Sequence, residues 1–320
     1  MLLSNMRSGA ANPAWRPAMD VGRSQSSSLA ATSLRAALLW RPGIGAAAFR
    51  DLRTTLGTDS AIAAADAETL RSIARRITED QARALATASQ HVGEHVREVL
   101  SLAREGVDVV ADDDPSYPSR LLRLSAPPPL LCVRGRMPTA ERAVAIVGTR
   151  SPTGADCEMA RTLALRCAGL GVTVVSGLAL GVDTAAHAGA IEGGGQTVAV
   201  LGCGISVIYP QRNRGLAERI VRRGALISET SPRAPVSVAS LMARNRITAA
   251  LASAVIVVAS GLRGGSLATA RHAERLGLQV AAVAWDDIHP KREGNTMLLE
   301  SGATALHRPE DLDALLSVSR

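Results

Sequence analysis

From Arg142 onward the hydrophobic positions fall in short continuous runs rather than in alternation. Residues 144–147, 172–176, 197–201, 225–228, 255–259 and 280–284 are Val- and Ala-rich and hold few polar side chains. Runs of that length and composition predict parallel strands covered on both faces. Between them the apolar spacing turns helical, over about residues 155–169, 183–192, 212–223, 240–253 and 266–276, and Gly171, Gly193, Gly224 and Gly277 supply stop signals. Strand and helix alternating in this way predict an α/β fold with a doubly wound, mainly parallel sheet, closed by a last helix–strand–helix over about 295–317.

The first third reads differently. Residues 1–32 are rich in Ser, Ala, Arg and Gly with Asp20 as their single acid, which predicts a disordered tail rather than a transit peptide. Helical spacing then fills residues 33–110, a small helical domain. Within it Pro42-Gly43-Ile44-Gly45 separates two apolar helical stretches. Gly43, Ile44 and Gly45 fit a helix-hairpin-helix turn whose second helix offers free N–H groups to a phosphate. They fit an ordinary helical hairpin equally well. Residues 111–136 are dense in proline and turn residues and read as a connector with one short strand, 130–133. The sheet domain would then occupy 137–318.

In a doubly wound sheet ligands bind beyond the carboxyl ends of the strands. Gly148-Thr149-Arg150 ends the first predicted strand, Ser176-Gly177 the second, and Gly264-Gly265-Ser266 follows the fifth. Arg244-Asn245-Arg246 lies between the fourth and fifth. Gly148, Gly177 and Gly265 would let backbone N–H groups approach an anion. Thr149, Ser176 and Ser266 would add hydroxyl donors. Arg150, Arg244 and Arg246 would add forked cations, with Asn245 beside them. The predicted ligand is a phosphate-bearing molecule, and the three arginines are its expected phosphate contacts.

Catalytic patterns are thinner. Asp183 and His187 would share a helix face, but Asp183 stands where a helix N-cap is expected and His187 reads as structural. Glu229 is a single carboxylate at a strand end, and no histidine stands in a triad. Cys132, Cys157, Cys167 and Cys203 lack C-x-x-C spacing, so neither zinc nor a disulfide framework is indicated. No metal or cofactor is expected. The net charge of +7, carried by arginine with Lys291 as the only lysine, suits an anionic partner or reflects coding bias. No apolar run reaches the roughly 18 residues needed to cross a bilayer, so a soluble, cytoplasmic protein is expected.

The stretches VAIVGTR, VTVVSGLALGVDTAAHAGAI, GGQTVAVLGCGISVIYPQRN, ALISE, ARNRITAALA, GGSLATARHA and GNTMLLESGATAL, in that order over roughly 115–307, resemble the DNA-processing protein A family (DprA, also called Smf). The segment LLWRPGIGAAAFRDLRTTLG is similar to that family's leading helical domain. The resemblance implies an extended Rossmann-like core, binding and protection of single-stranded DNA, help in loading a RecA-type recombinase during DNA uptake and recombination, a homodimer, and no catalytic activity. The chain departs from the family's pattern at Leu180, where Lys or Arg is usual, at Leu241-Met242, at Ala250, at Ala259 and at Trp285-Asp286. These changes bear on the strength of DNA binding more than on the fold. A different class is a nucleotide-binding or nucleoside-monophosphate phosphoribohydrolase-like Rossmann protein. Such enzymes use a P-G-G-x-G-T-x-x-E segment, and the stretch Leu262 to Ala270 keeps the glycines but has neither the proline nor the glutamate.

Overall fold

The computed structural model describes residues 23–138, 142–287 and 289–318. Six helices come first: α1 (Arg23–Trp40), α2 (Ala46–Leu56), α3 (Asp59–Ala64), α4 (Ala67–Ile73), α5 (Glu79–Ala86) and α6 (Val92–Arg104). Two strands follow, β1 (Val107–Ala111) and β2 (Leu130–Gly135). The alternating part then runs β3 (Ala143–Val147), α7 (Gly154–Gly169), β4 (Thr173–Ser176), α8 (Val182–Glu192), β5 (Thr197–Val200), α9 (Arg214–Arg223), β6 (Ala225–Ser228), α10 (Val238–Ala243), α11 (Asn245–Leu251), β7 (Ala254–Val257), α12 (Gly265–Arg275), β8 (Gln279–Val283), α13 (Glu293–Glu300), β9 (Thr304–Leu306) and α14 (Leu312–Val318).

All nine strands form one sheet in the order β1-β2-β6-β5-β4-β3-β7-β8-β9. β3 to β9 pair in parallel, as the Val-rich runs predict. Their residues divide between the two faces with period two. In β3, Ala143, Ala145 and Val147 enter one apolar core, while Val144 and Ile146 enter the other. Helices therefore cover both sides, and polar side chains find no place in these strands. The chain winds outward from β3 toward β6 and then restarts at β7 on the other side of β3. That reversal leaves a crevice beyond the carboxyl ends of β3, β4 and β7.

Several boundaries differ from the sequence reading. Residues 23–32, expected in a disordered tail, belong to α1, and residues 1–22 of that tail lie outside the described residues. β1 was expected to be helical. It pairs antiparallel with β2, and β2 pairs antiparallel with β6, so the predicted connector supplies the sheet's edge. Ala111 and Leu130 from these strands also enter the core of the helical region, beside Phe49, Leu52 and Leu70. Arg35 of α1, 5% exposed, fastens the junction through Asp59, Asp112 and Asp113 at 2.6–2.9 Å. The expected helix over 240–253 is two helices that meet at Arg244.

Candidate functional site

The crevice is a cavity of about 410 Å³. Gly148, Thr149 and Arg150 enter it from β3, Ala179 and Asp183 from the segment after β4, and Gly264, Gly265 and Ser266 from the start of α12. Arg244 and Asn245 enter from the junction of α10 and α11. Seven of the ten rim residues expected from the sequence thus meet here, from four separate stretches of chain.

The floor is built around Arg244, which is 7% exposed. Its guanidinium lies on the bare Cα of Gly177. A Cβ at that position would stand 1.3 Å from Arg244 Nη1, so glycine is needed here for close approach and not for an anion. Gly148 serves packing in a similar way, since a Cβ there would meet the Val182 side chain at 2.6 Å. Arg244 Nη2 is 3.7 Å from Asp183 Oδ2. The same oxygen accepts N–H bonds from Gly177 and Ala179, both 3.2 Å. Asp183 therefore ties the β4–α8 loop to the arginine. It does not cap α8, whose N-cap is Gly181. Burial is the largest influence on both partners. It pushes the Asp183 carboxyl up and the Arg244 guanidinium down, and the neighbouring Arg150 adds to the latter. Arg244 Nε is buried and has no hydrogen-bond partner. A cation held this way, short of compensation and at the floor of a cleft, favours an incoming anion.

The opposite wall is the first turn of α12. Gly264 is its N-cap, no side chain caps it, and its first turn carries no acid. The amides of Gly265 and Ser266 lie in the part of a helix that has no internal acceptor, at the positive end of an 11-residue helix. Asn245 Nδ2 donates to Gly265 O at 3.2 Å and fixes this turn against α11. Ser266 Oγ donates to Ser260 Oγ at 2.8 Å, so its hydroxyl is already used. Asn295 of α13 holds the loop from behind. Its Oδ1 accepts Ser260 N–H at 2.9 Å, and its Nδ2 donates to the carbonyls of Val257, Val258 and Val283. Arg150 is exposed at the mouth. Thr149 N–H donates to Ala259 O at 2.7 Å, which closes the β3 end onto the β7 end.

Three expected residues do not stand in this cleft as donors. Ser176 is fully buried, and its Oγ donates to Ile146 O at 2.7 Å, bridging β4 to β3. Gly177 serves as the seat of Arg244, as described. Arg246 is ion-paired with Glu229 and lines a separate groove of about 680 Å³. That groove also receives Gly43, Ile44, Gly45 and the uncapped start of α2. The separation has a simple cause. Residues two apart on a helix project about 200° apart, so Arg244 and Arg246 face opposite ways. Their spacing already carried that signal.

His187 is a structural residue. Its Nδ1 donates to Thr197 Oγ1 at 2.7 Å, because that hydroxyl's own hydrogen goes to Val174 O at 2.8 Å. Complete burial, with Arg244 adding repulsion, lowers its pKa to about 3. Among the described residues no cluster of His, Cys, Asp or Glu could hold a metal ion, and no helix is long and apolar enough to cross a membrane. The sequence reading missed Val238, Leu241 and Met242 as lining residues. Their i, i+3, i+4 spacing was the available sign of a shared face.

The family model "DNA recombination-mediator protein A" matches residues 108–317, about two thirds of the chain. The DNA processing protein DprA of Bacillus subtilis is 31% identical over 245 residues, covering 75% of this chain and 82% of that protein. Among solved structures, DprA from Streptococcus pneumoniae aligns with a TM-score of 0.70 at 24% identity, over 88% of this chain and 97% of that one. DprA from Helicobacter pylori, described for its single-stranded DNA binding mode, aligns with a TM-score of 0.59 at 27% identity, over 66% and 96%. The chain spans about half the length of several other curated relatives. A family model over this much of the chain, joined to a relative aligned over three quarters of it, places the chain in the DNA recombination-mediator protein A family.

Proposed function

We propose that this chain is a single-stranded DNA-binding recombination mediator that protects DNA and helps a RecA-type recombinase to load. It acts in the cytoplasm as a homodimer and without catalysis. The observation that carries the reading is the pairing of Arg244 with the uncapped start of α12 across one open cleft, with Arg150 at its mouth. These are phosphate-binding parts, with no carboxylate free to act as an acid or base. The one carboxylate lining the cleft, Asp183, is committed to Arg244 and to two amides. Gly43–Gly45 form a second contact where α2 opens into the neighbouring groove.

The test is a salt series with single-stranded and duplex oligonucleotides of the same sequence. Single strands should bind more tightly, with log K falling by about 0.7 per phosphate neutralised for each unit of log salt. Equal affinity for duplex, or release of a free base from AMP or CMP, would defeat the reading.

A further inference from the structure

The cleft has a second surface that a phosphate cannot use. Across from the amides of α12 stands α10, none of whose residues is buried. Val238, Leu241 and Met242 from this helix line the cleft, with Val238 80% and Met242 46% exposed. Leu180, 38% exposed, follows the lining residue Ala179, and Leu262, 55% exposed, follows the lining residue Gly261. Half of the large hydrophobic side chains exposed on the described surface therefore gather around one anion site. The wall is fixed in place. Ser240 Oγ donates to Gly202 O, and the bare Cα of Gly202 lets the Leu241 backbone approach within 2.9 Å of where a Cβ would stand.

We propose that this wall receives the unpaired bases of the strand whose phosphates lie on Arg244 and the start of α12. The inference rests on the single-stranded DNA reading and names how that strand is held. Charge complementarity selects the occupant, because a ligand must present an anion to the floor and an apolar face to the wall within one cavity. An unpaired nucleotide does both, whereas a duplex turns its bases inward. No aromatic side chain lines the cleft, so the contact is aliphatic. Leu180 and Leu241-Met242 stand where the family's pattern has other residues, so in this chain apolar area takes the place of a charge at the cleft edge.

The full chain is titrated with labelled oligothymidylate and with an abasic sugar-phosphate chain of equal length, from low to high salt. The two ligands offer the same phosphates and should share one salt slope. The abasic chain should bind about tenfold more weakly at every salt concentration, as expected for loss of a base contact. A Met242→Ser/Leu262→Ser variant changes two exposed side chains and should lower oligothymidylate affinity to the abasic level, leaving abasic affinity as it was. Equal affinity for both ligands would overturn the proposal while leaving the single-stranded DNA reading intact. So would a variant that loses self-association but keeps its preference for bases, since the wall would then belong to a second copy. Failure to bind either ligand would overturn the proposal together with the reading beneath it.

Discussion

Gly177→Ala is the substitution that most directly probes the floor. A methyl group there would lie 1.3 Å from Arg244 Nη1 and 2.0 Å from Cζ, so the guanidinium has to leave. The side chain is flexible, and the steric cost is small. The electrostatic cost is larger, because Asp183 is 5% exposed and loses the cation 3.7 Å away. At that separation the attraction is about 4 kcal/mol for an effective dielectric constant of 20. Breaking a buried pair by removing one partner costs about 3–5 kcal/mol. The displaced arginine can still pair from a poorer position, so about 2 kcal/mol is expected, at the low side of that range. For a chain of this size that lowers the melting midpoint by roughly 4–6 °C. Thermal melts followed by circular dichroism would read this. The salt slope for single-stranded DNA should also fall by about 0.7 as one phosphate contact is lost. In an Arg244→Ala background the same glycine change should cost almost nothing, since the two residues act as one unit. A Gly177→Ala protein with the parental midpoint and slope would refute the seating of Arg244 over Gly177.

Arg150→Ala should leave the melting midpoint unchanged and reduce the salt slope by about 0.7, whereas Arg246→Ala, ion-paired outside the cleft, should leave the slope as it was; anisotropy titrations separate the two. His187 has a folded pKa of about 3 against an ordinary 6.5, so the unfolded chain takes up a proton that the folded chain refuses. Its contribution is present above pH 6.5 and is lost as pH falls toward 3, at about 1.4 kcal/mol per pH unit. The urea stability difference between parent and His187→Gln should therefore grow from pH 3 to 6.5 and level off above. Arg292 bonds Asp156 Oδ1 at 2.8 and 3.0 Å and stacks on Trp285 with its Cζ 3.7 Å from the ring centre. Arg292→Met would strand Asp156, which is wholly buried, and should cost about 3–5 kcal/mol in urea unfolding.

The parallel strands were legible because burial on both faces removes polar residues from the run, as in β3 and β7. β1 was not, because V-D-V-V-A is short, carries Asp108 and is buried at only some positions, and it follows a helical stretch without a strong break. Its partner had to be known before it could be read as a strand. The strand ends correctly located the cleft, since topology alone sends those loops to one side. They could not say which side chains would be spent on the scaffold. Ser176 and Ser266 both satisfy internal acceptors, and only the packing of β4 on β3 and of α12 on the β7 loop shows it. Asp183 looked like a cap because caps and loop anchors use the same acceptor chemistry.

The shared ownership of β1 and β2 bears on where this protein can be divided. The region of family similarity begins at residue 108, one residue inside β1. A truncated chain that starts after residue 110 would keep only Ala111 of that strand. It would open the free edge of β2 to other chains and strip Ala111 and Leu130 of the helices that cover them. Such a fragment is expected to self-associate through its sheet. The N-terminal helices are thus less an appendage than a cover, and the smallest autonomous piece of this protein is one that retains β1 together with the helices above it.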